Sequence, residues 1–162
     1  MRRVLAFLLV GTAALCAATE ALAQKGPKFQ AAAVEVKFVD STESRLPPEF
    51  QVALYENLFE EMQKTGKFEQ VFREGDQAAR REKSLLTLSS TVRLFQKGSA
   101  MARQVTTVSG ATKITVRVQL ATRDGRLMID RDVEGKVQFF GENLRATQDF
   151  AKDVAKLIRK NF

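Results

Sequence analysis

Residues 111–140 read ATKITVRVQLATRDGRLMIDRDVEGKVQFF, two alternating runs that meet at Asp124-Gly125. In the first run Ile114, Val116, Val118 and Leu120 share one parity, and Lys113, Thr115, Arg117 and Gln119 share the other. Beyond the turn, Leu127, Ile129, Val133, Val137 and Phe139 take the apolar parity. Met128, Asp130, Asp132, Glu134, Lys136 and Gln138 take the polar one. Period-two alternation around an Asp-Gly dipeptide is the sequence signature of a β-hairpin. With Asp124 and Gly125 as the two turn residues, Leu120 faces Ile129, Val116 faces Val133 and Arg117 faces Asp132. A slip by one residue would bury the charges. The expectation is an antiparallel hairpin with one covered face and one wet face.

Upstream of this hairpin the pattern changes twice. Residues 31–39 alternate Val34, Val36 and Phe38 against Glu35 and Lys37, which predicts a strand. Pro47-Pro48 then opens a helix to about Lys64, because proline is tolerated in the first turn. Its apolar stripe is Phe50, Leu54, Leu58 and Met62, flanked by Ala53 and Phe59, and Gly66 supplies the left-handed stop. Residues 67–72 (KFEQVF) predict a second strand, and strand, helix and strand in succession imply a parallel pair. Phe38, Phe50, Phe59 and Phe68 all fall at core spacings.

Residues 73–83 are charged and read either as one or two helical turns, with Asp76 as a cap, or as a loop. Residues 85–97 predict a third strand with Leu86, Leu88, Val92 and Leu94 on one face. The segment from Gly98 to Gly110 lacks periodicity and reads as an irregular edge strand or a long loop. Gly135 lies on the core parity of the hairpin, which predicts a bulge or a close backbone approach. Residues 142–162 close the chain as a helix with Leu144, Thr147, Ala151, Val154 and Ile158 in one row, widened by Phe150 and Leu157. The sum is an α/β (α+β) fold: a two-layer sandwich with a mixed sheet of about five strands, one half of it an antiparallel hairpin, and two amphipathic helices.

The chain begins with an address. Arg2 and Arg3 precede a nearly continuous apolar run to Ala18, and Ala21-Leu22-Ala23 has the small-x-small form of a cleavage site. That three-part pattern predicts a secretory signal peptide over 1–23, cut after Ala23, and a single domain over 24–162. Glu20 interrupts the apolar run too early for a transmembrane anchor. A lipoprotein signal on Cys16 would need a small residue before it, and Leu15 stands there, so Cys16 reads as part of the leader. The remaining chain has no cysteine and relies on its core alone. Losing two arginines and one glutamate with the leader moves the formal charge from +7 to +6. The basic residues are interspersed with acids, which describes a solvated mixed surface rather than a nucleic-acid footprint.

Much chemistry is excluded by residue type. The sequence has no histidine, so the commonest general base and metal ligand are missing. No nucleophile elbow, phosphate loop or dinucleotide fingerprint occurs. The expectation is therefore no catalytic residue, no metal and no cofactor. Two features stand as candidate sites. Asp130, Asp132 and Glu134 place three carboxylates on the outward side of one strand, roughly 6.6–6.8 Å apart at alternate positions, a spacing that suits paired-carboxylate hydrolysis or a hard cation. Against this stands a solvated face whose carboxylates meet Arg117 and polar neighbours across the strand. Met101 and Arg103, between the glycines of the 98–110 segment, form a candidate interaction loop.

The stretches VEVKFVD, KTGKFEQVF, VRLFQKGSAMAR, ITVRVQLATRDGRL and DVEGKVQFFGENL together resemble a family of exported bacterial proteins catalogued as a domain of unknown function (DUF), number four-four-one-zero. Gly98, Arg103, Gly110 and Gly125 match its recurrent positions, whereas Val105, Thr106, Thr107 and Val108 replace the glycines that members often carry after the arginine. More distantly, the strand-helix-strand start is similar to envelope domains of the curli-secretion, LpoB and TolB amino-terminal type. The absent chemistry, the secretory leader and the compact α/β domain point to a periplasmic or secreted, non-enzymatic module that binds another envelope protein through a sheet edge or the Gly98–Gly110 loop, and the distant likeness to assembly and partner-binding modules agrees. The alternatives are a carboxylate-based hydrolase or cation site, and a carrier for an apolar small ligand.

Overall fold

The structure is a computed structural model that describes residues 31, 33–98, 112–137 and 144–162. The candidate loop with Met101 and Arg103, and the leader with its Ala23 site, lie outside the described residues. In chain order the elements are β1 (Ala33–Val36), α1 (Pro48–Lys64), β2 (Gln70–Arg73), a 3-10 turn (Ala79–Arg81), β3 (Leu85–Gln96), β4 (Thr112–Thr122), β5 (Leu127–Val137) and α2 (Arg145–Asn161). The five strands form one sheet in the order β2-β1-β3-β4-β5. β1 is parallel to both β2 and β3, while β3–β4 and β4–β5 are antiparallel. This is the mixed two-layer α+β sandwich expected, with β2 and β5 as its margins.

Both helices cover the same sheet face, α1 over β1 and β2 and α2 over β4 and β5. Pro48 opens α1 at its first helical position, and Gly66 follows its end at φ +62°. Between the layers, Leu54, Leu58, Leu88, Val116, Phe150 and Ile158 are fully buried. The helices are tied to each other by Asn57 Nδ2, which donates to Thr147 Oγ1 at 2.8 Å. Gly135 is the close approach that its position predicted: a Cβ there would lie 2.1 Å from the Ala146 carbonyl oxygen and 2.9 Å from Phe150 Cβ. Only glycine lets the first turn of α2 settle onto β5.

The hairpin register is the expected one, with Leu120 opposite Ile129, Val116 opposite Val133 and Arg117 opposite Asp132. The turn that delivers it is different. Gly125 N–H donates to Thr122 O at 2.9 Å, so Arg123 and Asp124 are the central residues, and Gly125 follows at φ +85°. This three-residue loop starts the ladder one step off, with Ala121 opposite Leu127, and an extra residue at Met128 restores the register. The consequence is an exchange of faces. Leu127, expected in the core, is 52% exposed, and Met128, expected outside, packs against the core.

The same correction recurs twice. β3 shifts register between Val92 and Leu94, so Leu94 turns out to solvent at 51% exposure while Phe95 takes the core side, its ring 4.8 Å from Phe50. Past β1, Val36 pairs with Leu88 but Asp40 bridges to Thr91, one residue fewer on β3 than on the β1 side. Val39 is therefore buried and Phe38 is 46% exposed, not a core residue. A fourth correction concerns the wet face. Ala33, Phe72, Ala79 and Leu85 form a small second apolar cluster. The 3-10 turn brings Ala79 to it, with Asp76 Oδ1 accepting the Ala78 N–H at 2.8 Å.

Candidate functional site

The three carboxylates named from the sequence do stand on the exposed side of β5, and two of them, Asp130 and Glu134, are held by cations. Arg117 donates from Nε and Nη2 to the two carboxylate oxygens of Asp130, each at 2.7 Å. The directly opposite residue is Asp132, so the fork reaches diagonally along the strand. Glu134 pairs with its own neighbour two along, Lys136 Nζ at 2.5 Å. The Arg117 hydrogen bond holds the Asp130 carboxyl below its ordinary pKa, and Lys136 does the same for Glu134. A general acid near neutral pH needs the opposite shift. No group of three or more metal-ligating acids, cysteines or histidines occurs among the described residues.

Two grooves that the sequence did not announce flank the sheet. The first, about 360 Å³, lies beneath the segment that arches from β2 back to β3, with Glu35, Lys37, Glu74, Thr87 and Arg123 on its walls. Glu35 is its anchor: Oε1 accepts the Gly75 N–H at 3.1 Å and Oε2 meets Lys37 Nζ at 3.1 Å. Glu74 adds a second carboxylate 3.4 Å from Lys37 and accepts the Phe38 N–H at 2.8 Å. Partial burial pulls the Lys37 ammonium down, but the hydrogen bond and charge of Glu35 and the charge of Glu74 outweigh it and raise its pKa. Arg123, at the hairpin tip, closes the far end by donating to the carbonyls of Ala79 and Arg80 at 3.1 and 3.3 Å. This groove is a self-satisfied ionic seam that fastens the arch to the sheet.

The second groove, about 530 Å³, runs along the β5 margin between Met128–Arg131 and the last turns of α2, at Leu157, Lys160 and Asn161. Its lining is mostly polar, from Asp130, Arg131, Lys160 and Asn161, with Met128 and Leu157 packed on the core beneath and Ile129 buried. Arg131 and Lys160 rim it, both exposed. Among the described residues β5, 11 residues long, pairs only with β4, and no strand lies along its other edge. Near its end Asp149 Oδ2 of α2 accepts the Lys136 N–H at 3.2 Å. The opposite margin carries a different surface. The Arg73 guanidinium lies 4.0 Å from the Phe59 ring centroid and 5.4 Å from that of Tyr55, and grips Glu56 with two 2.7 Å bonds. The Phe38 ring lies against Tyr55 from outside, tilted by 54° with centroids 5.2 Å apart. The alternating sequence placed Phe38 in the core and gave no sign of either groove.

No protein-family model matches this chain, and no curated protein matches it. Among solved structures, the fold is similar to the PelC dodecamer from Paraburkholderia phytofirmans, at 11% identity and TM-score 0.59, over 78% of this chain and 87% of that one. A leucine-to-methionine variant of the same dodecamer overlaps at TM-score 0.60, with 11% identity, over 80% and 90% of the two chains. A hypothetical protein from Chlamydia trachomatis overlaps more loosely, at TM-score 0.49 and 9% identity, over 80% and 97%. At such identities the likeness is one of fold. Among the described residues no helix is long and apolar enough to cross a membrane.

Proposed function

We propose that this chain is an exported cell-envelope protein that works by binding, as an assembly or accessory module, and not by catalysis. The observation that carries this is the margin of β5, which has no strand partner beyond β4 among the described residues and a groove beside it. An exposed edge is a template for another chain, and proteins that do not use one commonly blunt it. The secretory leader pattern of residues 1–23 supports the envelope address, and the family of exported proteins resembled by the sequence agrees with it. The PelC likeness adds a precedent for this fold in a dodecamer. The ion pairs that hold Asp130 and Glu134 below their ordinary pKa weigh against a hydrolase there.

The test is a crosslinking pull-down of the tagged chain from its own envelope, read by mass spectrometry. A reproducible, stoichiometric protein partner is expected. A folded, abundant bait that repeatedly captures nothing would end this proposal. A double variant, Met101→Ala with Arg103→Ala, assigns the loop: retention of all partner binding removes it from the interface and leaves the β5 margin.

A further inference from the structure

The two helices lie side by side and carry opposite charge. α1 has four glutamates, at 49, 56, 60 and 61, against the single Lys64. α2 has five basic residues against Asp149 and Asp153. Because α1 sits over β1 and β2 and α2 over β4 and β5, the charge separates toward opposite margins of the sheet. Surface relief follows the same division. The acidic margin bears two exposed apolar side chains, Phe38 at 46% and Val52 at 51% exposure, while the basic margin bears the notch between Met128–Arg131 and Leu157, Lys160 and Asn161. Glu49 on one side, and Arg131 and Lys160 on the other, have no ion-pair partner among the described residues.

Register puts Phe38 and the notch at one level. Val36 pairs with Leu88, Leu88 with Leu120, and Leu120 with Ile129, a single row across the sheet. Phe38 stands two residues past Val36, and Arg131 two past Ile129. We infer that the β2-side margin of one copy docks against the β5-side margin of a second copy of this chain, head to tail. Acid then meets base, and the exposed Phe38 ring meets the notch, where Met128 and Leu157 lie among its polar walls. A two-fold β5–β5 pairing is disfavoured by the same charges: centred on the acidic row, it sets Asp132 against its own counterpart and the basic helix beside itself. A head-to-tail contact is heterologous, so it closes into a ring or propagates. This rests on the assembly reading above and adds the two surfaces and the partner.

Sedimentation and native mass spectrometry of the purified chain test it. The wild type is expected to assemble beyond a dimer and to weaken as salt rises from about 0.05 to about 0.5 M, where screening shortens. Phe38→Ser, which leaves the charges alone, should weaken assembly roughly tenfold. Glu49→Lys with Glu60→Lys, and separately Arg131→Glu with Lys160→Glu, should each give monomers. An equimolar mixture of the two should reassemble, since each supplies the margin that the other lacks, and reassembly also certifies both folds. A wild type that stays monomeric at on the order of 0.1 mM overturns the inference. So does an assembly that the α1 reversal leaves intact. A monomer that still captures a stoichiometric envelope partner sinks only the head-to-tail contact; a monomer that captures none sinks the binding module as well.

Discussion

Two buried positions show how narrowly single atoms constrain this core. At Gly135 the nearest neighbour of an added Cβ is a backbone carbonyl, which cannot swing aside as a side chain can. Gly135→Ala must therefore lift the start of α2 away from β5, and with it Ala146 and the fully buried Phe150. The expected loss is at least ~3 kcal/mol, the upper end of overpacking, read as a lower urea midpoint at unchanged slope. A midpoint within error of wild type would mean that α2 does not rest on this glycine. Ser90 has the opposite character. It is 2% exposed in the core face of β3, and its Oγ has no hydrogen-bond partner among the described residues. Removing an unpartnered buried hydroxyl gains back its desolvation, so Ser90→Ala should stabilise by about 1 kcal/mol. Destabilisation in the same titration would show that the hydroxyl is satisfied after all.

At the scale of the strand, the informative residues are those that changed faces. Phe38-Val39, Leu94-Phe95 and Leu127-Met128 are adjacent apolar pairs, and a register irregularity falls at or beside each one. Alternation is decisive where apolar and charged residues strictly interleave, as in Ile114–Leu120, and the register there was legible. At an apolar pair either parity buries something greasy, so the pattern reads equally well both ways and the bulge is invisible. The partner chosen by Arg117 was likewise out of reach, because a long guanidinium can bridge straight across or diagonally. The grooves were hidden for another reason, since their walls come from segments far apart in sequence, as Arg123 and Ala79 do. Leu94→Thr should change stability by less than ~0.5 kcal/mol, whereas Phe95→Ala should cost about 2 kcal/mol. Equal losses at the two positions would place the bulge elsewhere. Arg117→Gln should release Asp130, whose carboxyl then titrates upward toward its ordinary value in a carbon-detected NMR titration. An unchanged Asp130 midpoint would mean that the fork seen here does not persist in solution.

The whole molecule is built from ions that titrate far from neutrality, and this sets its response to pH. The sequence contains no histidine. Hydrogen bonds from Arg117 and Arg73 hold Asp130 and Glu56 below their ordinary pKa values, and Thr42 and Thr122 do so for Asp40 and Asp124. For a carboxylate depressed in the folded state, the stabilisation is present above the unfolded pKa and is lost as pH falls through the folded one. Glutamate and aspartate partners raise Lys64, Lys136 and Lys156, and for these the stabilisation is present below the unfolded pKa of 10.5 and is lost as pH rises through the folded one. Both sets of shifts push outward, so they widen the plateau instead of tilting it. The unfolding midpoint should accordingly be flat from about pH 6 to 9, fall below about pH 4 and fall again above about pH 10. The head-to-tail contact draws on glutamate, arginine and lysine and should share that plateau while remaining sensitive to salt. Chemical denaturation at stepped pH, with sedimentation alongside, separates the two responses. A transition in either quantity between pH 6 and 8 would require a titrating side chain that this sequence does not contain, and would point instead to a bound partner or to the chain terminus.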